Sequence, residues 1–226
     1  MNNSVSQELL KFLQKSPTAF HAVAQMKDEL LKAHFTELKE NERWNLECGK
    51  HYFVTRNDSS LIAFTIPENG IDKMHILTSH SDSPTFKIKE NPEIEVEKHY
   101  VKLNVEKYGG MLCAPWFDRP LSVAGRVIIK DKTSGQFTSK LVNIDRDLAM
   151  IPNLAIHMNR EINSGYNYNA QKDLLPLYSC GSPKETFMEQ IAEAAGVEKD
   201  EILGHDLFLY NRQEGSVWGA SEEFIS

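Results

Sequence analysis

Residues 73–79, Lys-Met-His-Ile-Leu-Thr-Ser, form a mostly apolar run with no alternation. A strand with one wet face alternates in polarity, whereas an unbroken apolar run belongs to a strand covered on both faces, as in an α/β sheet. The residues before it agree. Ser4 and Gln7 have capping-box spacing, and Leu9, Leu10, Phe12 and Leu13 follow at helical spacing, so a helix is expected over about 5–15. Ser16-Pro17 reads as an N-cap with proline at the first helical position, opening a second helix over about 17–33 with Phe20, Val23, Lys27 and Leu30 on one face. His51–Thr55 and Leu61–Ile66 are rich in β-branched and aromatic residues and read as strands, and Pro67–Gly70 is a turn. Helices followed by such strands open an α/β domain.

After Pro92 the pattern changes to a two-residue period. Ile94, Val96, Tyr100, Leu103 and Val105 alternate with polar residues, Tyr108-Gly109-Gly110 is a turn, and Gly125–Lys130 and Lys140–Ile144 read as further short strands. A boundary near residue 91 is expected, with 1–90 the first part of an α/β domain and 91–210 a β-rich domain. Within the latter, Ser182-Pro183-Lys184-Glu185 has capping-box spacing and Gly196 suits a helix end, so a helix is expected over about 183–195, followed by a strand over Ile202–Tyr210. Residues 211–226 would re-enter the first domain.

Composition narrows the function classes. The net charge is −7, from 32 acidic and 25 basic residues, which gives no general attraction to nucleic acid or anionic lipid. Cys48, Cys113 and Cys180 are odd in number and widely spaced, so neither a disulfide framework nor a structural zinc site is expected, and reduced thiols favour the cytoplasm. The N-terminus has no signal-peptide pattern, and no apolar run approaches a membrane span.

The apolar run delivers its C-terminal end into His80-Ser81-Asp82-Ser83-Pro84. Functional groups gather beyond the carboxyl ends of strands in α/β sheets. A neutral imidazole ligates zinc, and a carboxylate on its other nitrogen fixes the tautomer and raises its basicity. His80 is therefore the candidate ligand and Asp82 its orienting partner. His-x-Asp is a short motif and carries little weight without that context. One imidazole does not hold a catalytic zinc, which needs about three protein ligands. There is no HExxH, and Glu222-Glu223 reads as a solvated turn.

The segment Leu77–Pro84 resembles the first metal-binding motif of the aspartyl aminopeptidase family, which includes a vacuolar aminopeptidase of yeast. The resemblance continues through Tyr108-Gly-Gly, Trp116-Phe-Asp-Arg-Pro-Leu-Ser-Val-Ala-Gly-Arg126-Val, Ile151-Pro-Asn-Leu-Ala-Ile-His157-Met-Asn-Arg160, Asp206–Tyr210 and Gly219–Ile225. It covers nearly the whole chain, in order. It implies an incomplete phosphorylase/hydrolase-like α/β catalytic domain interrupted by a β-rich dimerisation domain. It also implies two co-catalytic zinc ions, with cobalt or manganese as alternatives, and release of N-terminal residues from short peptides. Acidic N-terminal residues are preferred in part of the family. Dimers would assemble to a dodecamer. On this resemblance His80 is a ligand of one metal, Asp82 orients it, and His157 reaches a neighbouring subunit's active site. The plain alternative for His157 is a packed core or interface residue, since Leu154, Ala155, Ile156 and Met158 surround it. Asp118 and Arg119 would form an ion pair or hydrogen bonds within the inserted domain.

The resemblance places the bridging Asp, the Glu-Glu pair and the final Asp and His ligands after residue 226. The chain thus reads as the N-terminal half of such an enzyme, inactive by itself. The alternative is an assembly or regulatory fragment that keeps the dimerisation domain. A catalytic domain without its later strands would leave Met74–Thr78 exposed and prone to association.

Overall fold

The computed structural model describes residues 3–131 and 135–226 and is mixed α/β. The chain divides into two compact units, one formed by Met1–Ser83 with Glu214–Ser226 and the other by Pro84–Gln213.

In the first unit, α1 (Asn3–Gln14) leaves Val5, Leu9 and Leu13 exposed. The side chain of Ser4, its expected cap, lies outside the described residues. Gln14 Nε2 donates to Glu214 Oε1 at 2.7 Å and ties α1 to the returning chain. Helix α2 (Ala19–Lys32) starts later than the Ser16-Pro17 signal suggests, because its N-cap is Thr18, whose hydroxyl accepts from the His21 N–H. Strand β1 (Thr36–Leu38) pairs in parallel with β2 (His51–Arg56), which forms a hairpin with β3 (Ser60–Thr65). Asn57 and Asp58 both have φ of 53°. These are left-handed conformations that Asn and Asp tolerate, and they begin the three-residue turn between the paired Arg56 and Ser60. Phe20 and Val23 of α2, with Tyr52, Phe53, Val54 and Ile66, are buried. The unit ends in a small ladder of β10 (Val217–Trp218) with β11 (Phe224–Ile225), whose Trp218 and Phe224 rings lie 4.8 Å apart.

The 73–79 run does not form the expected covered strand. Among the described residues it joins no ladder, and Met74, Ile76 and Leu77 are 72%, 72% and 100% exposed. The physical reason is the lack of neighbours. A strand buried on both faces needs partner strands, and the sheet of this unit ends at β3.

His21 gives this unit a pH dependence. The Thr18 hydroxyl lies 2.8 Å from its Nδ1, and burial lowers its pKa to about 4. The unfolded chain, with a pKa near 6.5, binds the proton more tightly. The His21 contribution is therefore fully present above about pH 6.5 and is lost as pH falls toward 4. With allowance for residual solvent, the loss is about 2 kcal/mol. In urea titrations near pH 7 and pH 4.5, His21→Gln should lose less stability on acidification than the wild type. His205, also lowered chiefly by burial, contributes equally to both proteins and cancels. An equal loss in the two would refute this assignment.

The second unit is a six-stranded sheet in the order β7-β6-β9-β4-β5-β8, antiparallel throughout, with one helix packed on it. Its strands are β4 (Thr85–Val96), β5 (Tyr100–Tyr108), β6 (Leu121–Lys130), β7 (Phe137–Asn143), β8 (Leu177–Cys180) and β9 (Ile202–Asn211). Alternation places Phe86, Ile88, Leu103, Val105, Val123, Val127, Leu207 and Leu209 in one core, which α3 (Phe187–Ala195) covers with Phe187 and Ile191. Pro92 lies inside β4, where the β4–β5 register slips between Ile88 and Glu93. A proline has no N–H to give the ladder and so favours such a bulge. The change of texture near residue 91 thus falls within a strand, and the unit begins at Pro84. The cap of α3 is Thr186 with Glu189 in a capping box, later than Ser182–Glu185, and Gly196 closes the helix in the left-handed conformation.

Candidate functional site

The His80 loop is positioned from within its own unit. Ser81 Oγ donates to the Ser59 carbonyl beside the β2–β3 turn at 2.7 Å, fixing the loop one residue from the histidine. His80 Nδ1 lies 2.6 Å from the main-chain oxygen of Asp82 and 3.5 Å from its carboxylate Oδ1. His80 and Asp82 therefore come together, with a correction. The near partner of the ring is the Asp82 backbone carbonyl, which accepts from a protonated Nδ1, and the carboxylate stands behind it. That arrangement leaves the Nε2 lone pair of a largely exposed ring directed away from its own loop's hydrogen bond. Ser81 was not a candidate from the sequence, because its partner lies 22 residues away.

His157 belongs to the other unit. It sits in an exposed turn in which Met158 N donates to the Ala155 carbonyl at 2.8 Å, and its imidazole has no partner among the described residues. Within this chain the ring is not packed in a core, since Leu154, Ile156 and Met158 beside it are themselves 62%, 46% and 75% exposed. The root of this turn is held by the Trp116–Arg119 motif. Phe117 bridges Ile151, and the Asp118 N–H donates to the Ile151 carbonyl at 2.9 Å. The Asp118 carboxylate accepts the Asn153 N–H at 2.9 Å and the Asn153 side-chain amide at 2.8 Å. These bonds, the backbone one foremost, hold the Asp118 carboxyl below the usual carboxylate range. Arg119 bonds Gln213 at 2.5 Å and does not pair with Asp118. Glu222 and Glu223 lie in the exposed turn before β11, with Glu223 accepting from the Ser221 N–H.

The donor set bears on the metal. Among the described residues no group of three or more His, Cys, Asp or Glu side chains is arranged to hold an ion. His80 is suited to supply one zinc ligand. The described residues do not by themselves supply the roughly three that a catalytic zinc needs. A cavity of about 140 Å³ on β2 and β3 is lined by Glu40, Val54, Thr55, Arg56, Ser60, Leu61 and Ile62, and His80 is not among its walls. No helix among the described residues is long and apolar enough to cross a membrane.

Comparison with known proteins identifies the family. Residues 12–226 match the family model described as aminopeptidase I zinc metalloprotease (M18). A probable M18 family aminopeptidase 2 of Clostridium novyi is 47% identical over 234 residues, covering 100% of this chain and 54% of the relative. Its counterpart in Clostridium acetobutylicum is 44% identical, with 98% and 52% covered. The chain thus spans about half the length of these relatives. Among solved structures, Chaetomium thermophilum mApe1 superposes with a TM-score of 0.86 at 35% identity, covering 97% of this chain and 53% of that one. The S. cerevisiae mApe1 dodecamer gives 0.78 at 26%, covering 98% and 51%. With nearly all of its own residues, 12–226, matched to the family model, the chain belongs to the M18 aminopeptidase family of zinc metalloproteases.

Proposed function

We propose that the full-length protein is a zinc aminopeptidase that releases N-terminal residues from short peptides, and that this chain contributes one metal ligand to it. Family membership supports the reaction class. The observation that carries the residue assignment is the His80 loop, in which Asp82 occupies Nδ1 and leaves Nε2 for a metal. Zinc, when bound in such sites, acidifies a water and polarises the scissile carbonyl, and two ions are what the family resemblance implies. The roles of this chain's own residues are narrower. His80 binds, Asp82 fixes the tautomer, and Ser81 holds the loop against the β2–β3 turn. Since the described residues bring together no set of three ligands, this chain by itself is proposed to be inactive.

The Pro84–Gln213 unit is proposed as the dimerisation domain, with His157 offered to the active site of a neighbouring subunit. Its exposed ring in a turn, with no partner among the described residues, supports that role. The dodecameric S. cerevisiae relative supports a homo-oligomer of the same kind. Cys48, Cys113 and Cys180 are free, which favours a cytoplasmic location. Acidic N-terminal residues are the first substrate class to test.

In the full-length protein, His157→Ala should lower kcat/KM about tenfold with zinc content and assembly unchanged, as loss of a substrate contact does. Kinetics equal to wild type on a panel of aminoacyl substrates would remove His157 from the site.

A further inference from the structure

We propose that Asp118 is a positioning residue for His157, the clasp of the loop that presents it. The inference rests on the proposed role of His157, and it adds a residue to which the motif comparison gave only a structural part.

Three observations converge on the Phe117–Asp118 dipeptide. Asp118 has a φ of 57°, the left-handed region that a side chain with a Cβ enters at a cost. Such a conformation persists where surrounding bonds require it. Here it lets the residue face Ile151–Asn153 with both backbone and carboxylate. Its N–H reaches the Ile151 carbonyl, and its two carboxylate oxygens take the main-chain and side-chain N–H groups of Asn153. Second, the far end of the same loop returns to the neighbouring residue. The Tyr168 ring lies 4.9 Å from that of Phe117, and Tyr166 and Asn169 are both bonded to the Asp173 carboxylate. One dipeptide therefore closes the loop from Asn153 to Tyr168 at both ends.

Third, the tip of that loop has no packing to hold it. Leu154, Ile156, His157 and Met158 are all exposed, and the tip's own order is a turn closed at Ala155–Met158. Three residues lie between Asn153 and His157. With no core contact at the tip, the direction in which the imidazole projects is set by the root. Ile151, 0% exposed, anchors the root in the core, and Asp118 sets the angle at which the chain leaves it. Loss of the clasp should leave the sheet intact and let His157 wander.

Asp118→Gly removes the carboxylate while keeping a residue at ease in the left-handed conformation, so the fold is not put at risk. Asp118→Asn keeps one acceptor oxygen and serves as the conservative rescue. Hydrogen exchange of the amides in 153–160, read by mass spectrometry, should accelerate about tenfold in Asp118→Gly and less in Asp118→Asn. In the full-length enzyme, Asp118→Gly should raise KM several-fold with kcat within about twofold, because ground-state placement rather than the chemical step is affected. Combined with His157→Ala, it should add nothing further, as two residues acting through one contact do. Unchanged exchange in Asp118→Gly would overturn the clasp. Faster exchange with unchanged KM, while His157→Ala is impaired, would overturn the positioning role. A kinetically silent His157→Ala would overturn the reading on which the inference rests, and the inference with it.

Discussion

Gly125→Ala should destabilise the Pro84–Gln213 unit by about 3 kcal/mol or more, the upper range for overpacking where the neighbour cannot yield. A Cβ on Gly125 would lie 2.0 Å from the Asp206 carbonyl oxygen and 2.9 Å from Leu207 Cα. Both are backbone atoms of β9, the strand to which β6 is paired, with Gly125 opposite Leu207. No rotamer change relieves such a clash, so the strands must separate. The damage would spread to the next rung. There Asp206 accepts from Lys87 at 2.8 Å and from Arg126 Nη2 at 3.0 Å. Burial raises the Asp206 carboxyl pKa, but the hydrogen bonds and charges of Lys87 and Arg126 outweigh it and hold the group below its ordinary value. Equilibrium urea unfolding reads the effect as a lower midpoint at similar slope. A midpoint equal to wild type would mean that β6 and β9 are not in this register.

His80→Ala should reduce the peptidase activity of the full-length protein at least 100-fold and lower its zinc content. Partners that merely orient a ligand typically account for 10- to 100-fold in metal affinity or activity, and a ligand itself should account for more. The variant should fold normally, because the His80 side chain is 77% exposed and its one close partner is the Asp82 carbonyl of its own loop. Far-ultraviolet circular dichroism should match the wild type, and the thermal midpoints should match once zinc has been chelated from both proteins. Asp82→Asn is the milder counterpart. It leaves the near bond to the Asp82 backbone in place and removes the carboxylate charge at 3.5 Å, so a smaller loss is expected. Should Asp82→Asn be as damaging as His80→Ala, the carboxylate would have a larger part than orientation.

Periodicity located most elements, because both helical amphipathicity and strand alternation are local. The helix starts were misjudged twice in the same way. Ser16-Pro17 and Ser182-Pro183 carry the N-cap and proline pattern, yet the working caps are Thr18 and Thr186. Several residues near a helix start satisfy the capping preference, and tertiary packing decides among them. Pro92 signalled a break in pattern, but a bulge within β4 answers it as well as a domain border does. The 73–79 run was legible as apolar, and exposure of Met74–Thr78 was expected for a catalytic domain without its later strands. The covered strand itself does not form, because the described residues bring no partner strand to it. In the candidate site, His80 and Asp82 were legible because a single residue, Ser81, lies between them. The hold of Ser81 on Ser59, and that of Asp118 on Asn153, join residues 22 and 35 positions apart. No local spacing rule reaches that far.

The assignment of His80 as a zinc ligand is the claim from which the functional account descends. A crystal of the full-length protein with zinc, measured on both sides of the zinc absorption edge, tests it most directly. The account predicts an anomalous peak at about 2.0–2.1 Å from His80 Nε2, with Nδ1 still on Asp82. A fully occupied zinc site whose ligands do not include His80 would contradict it.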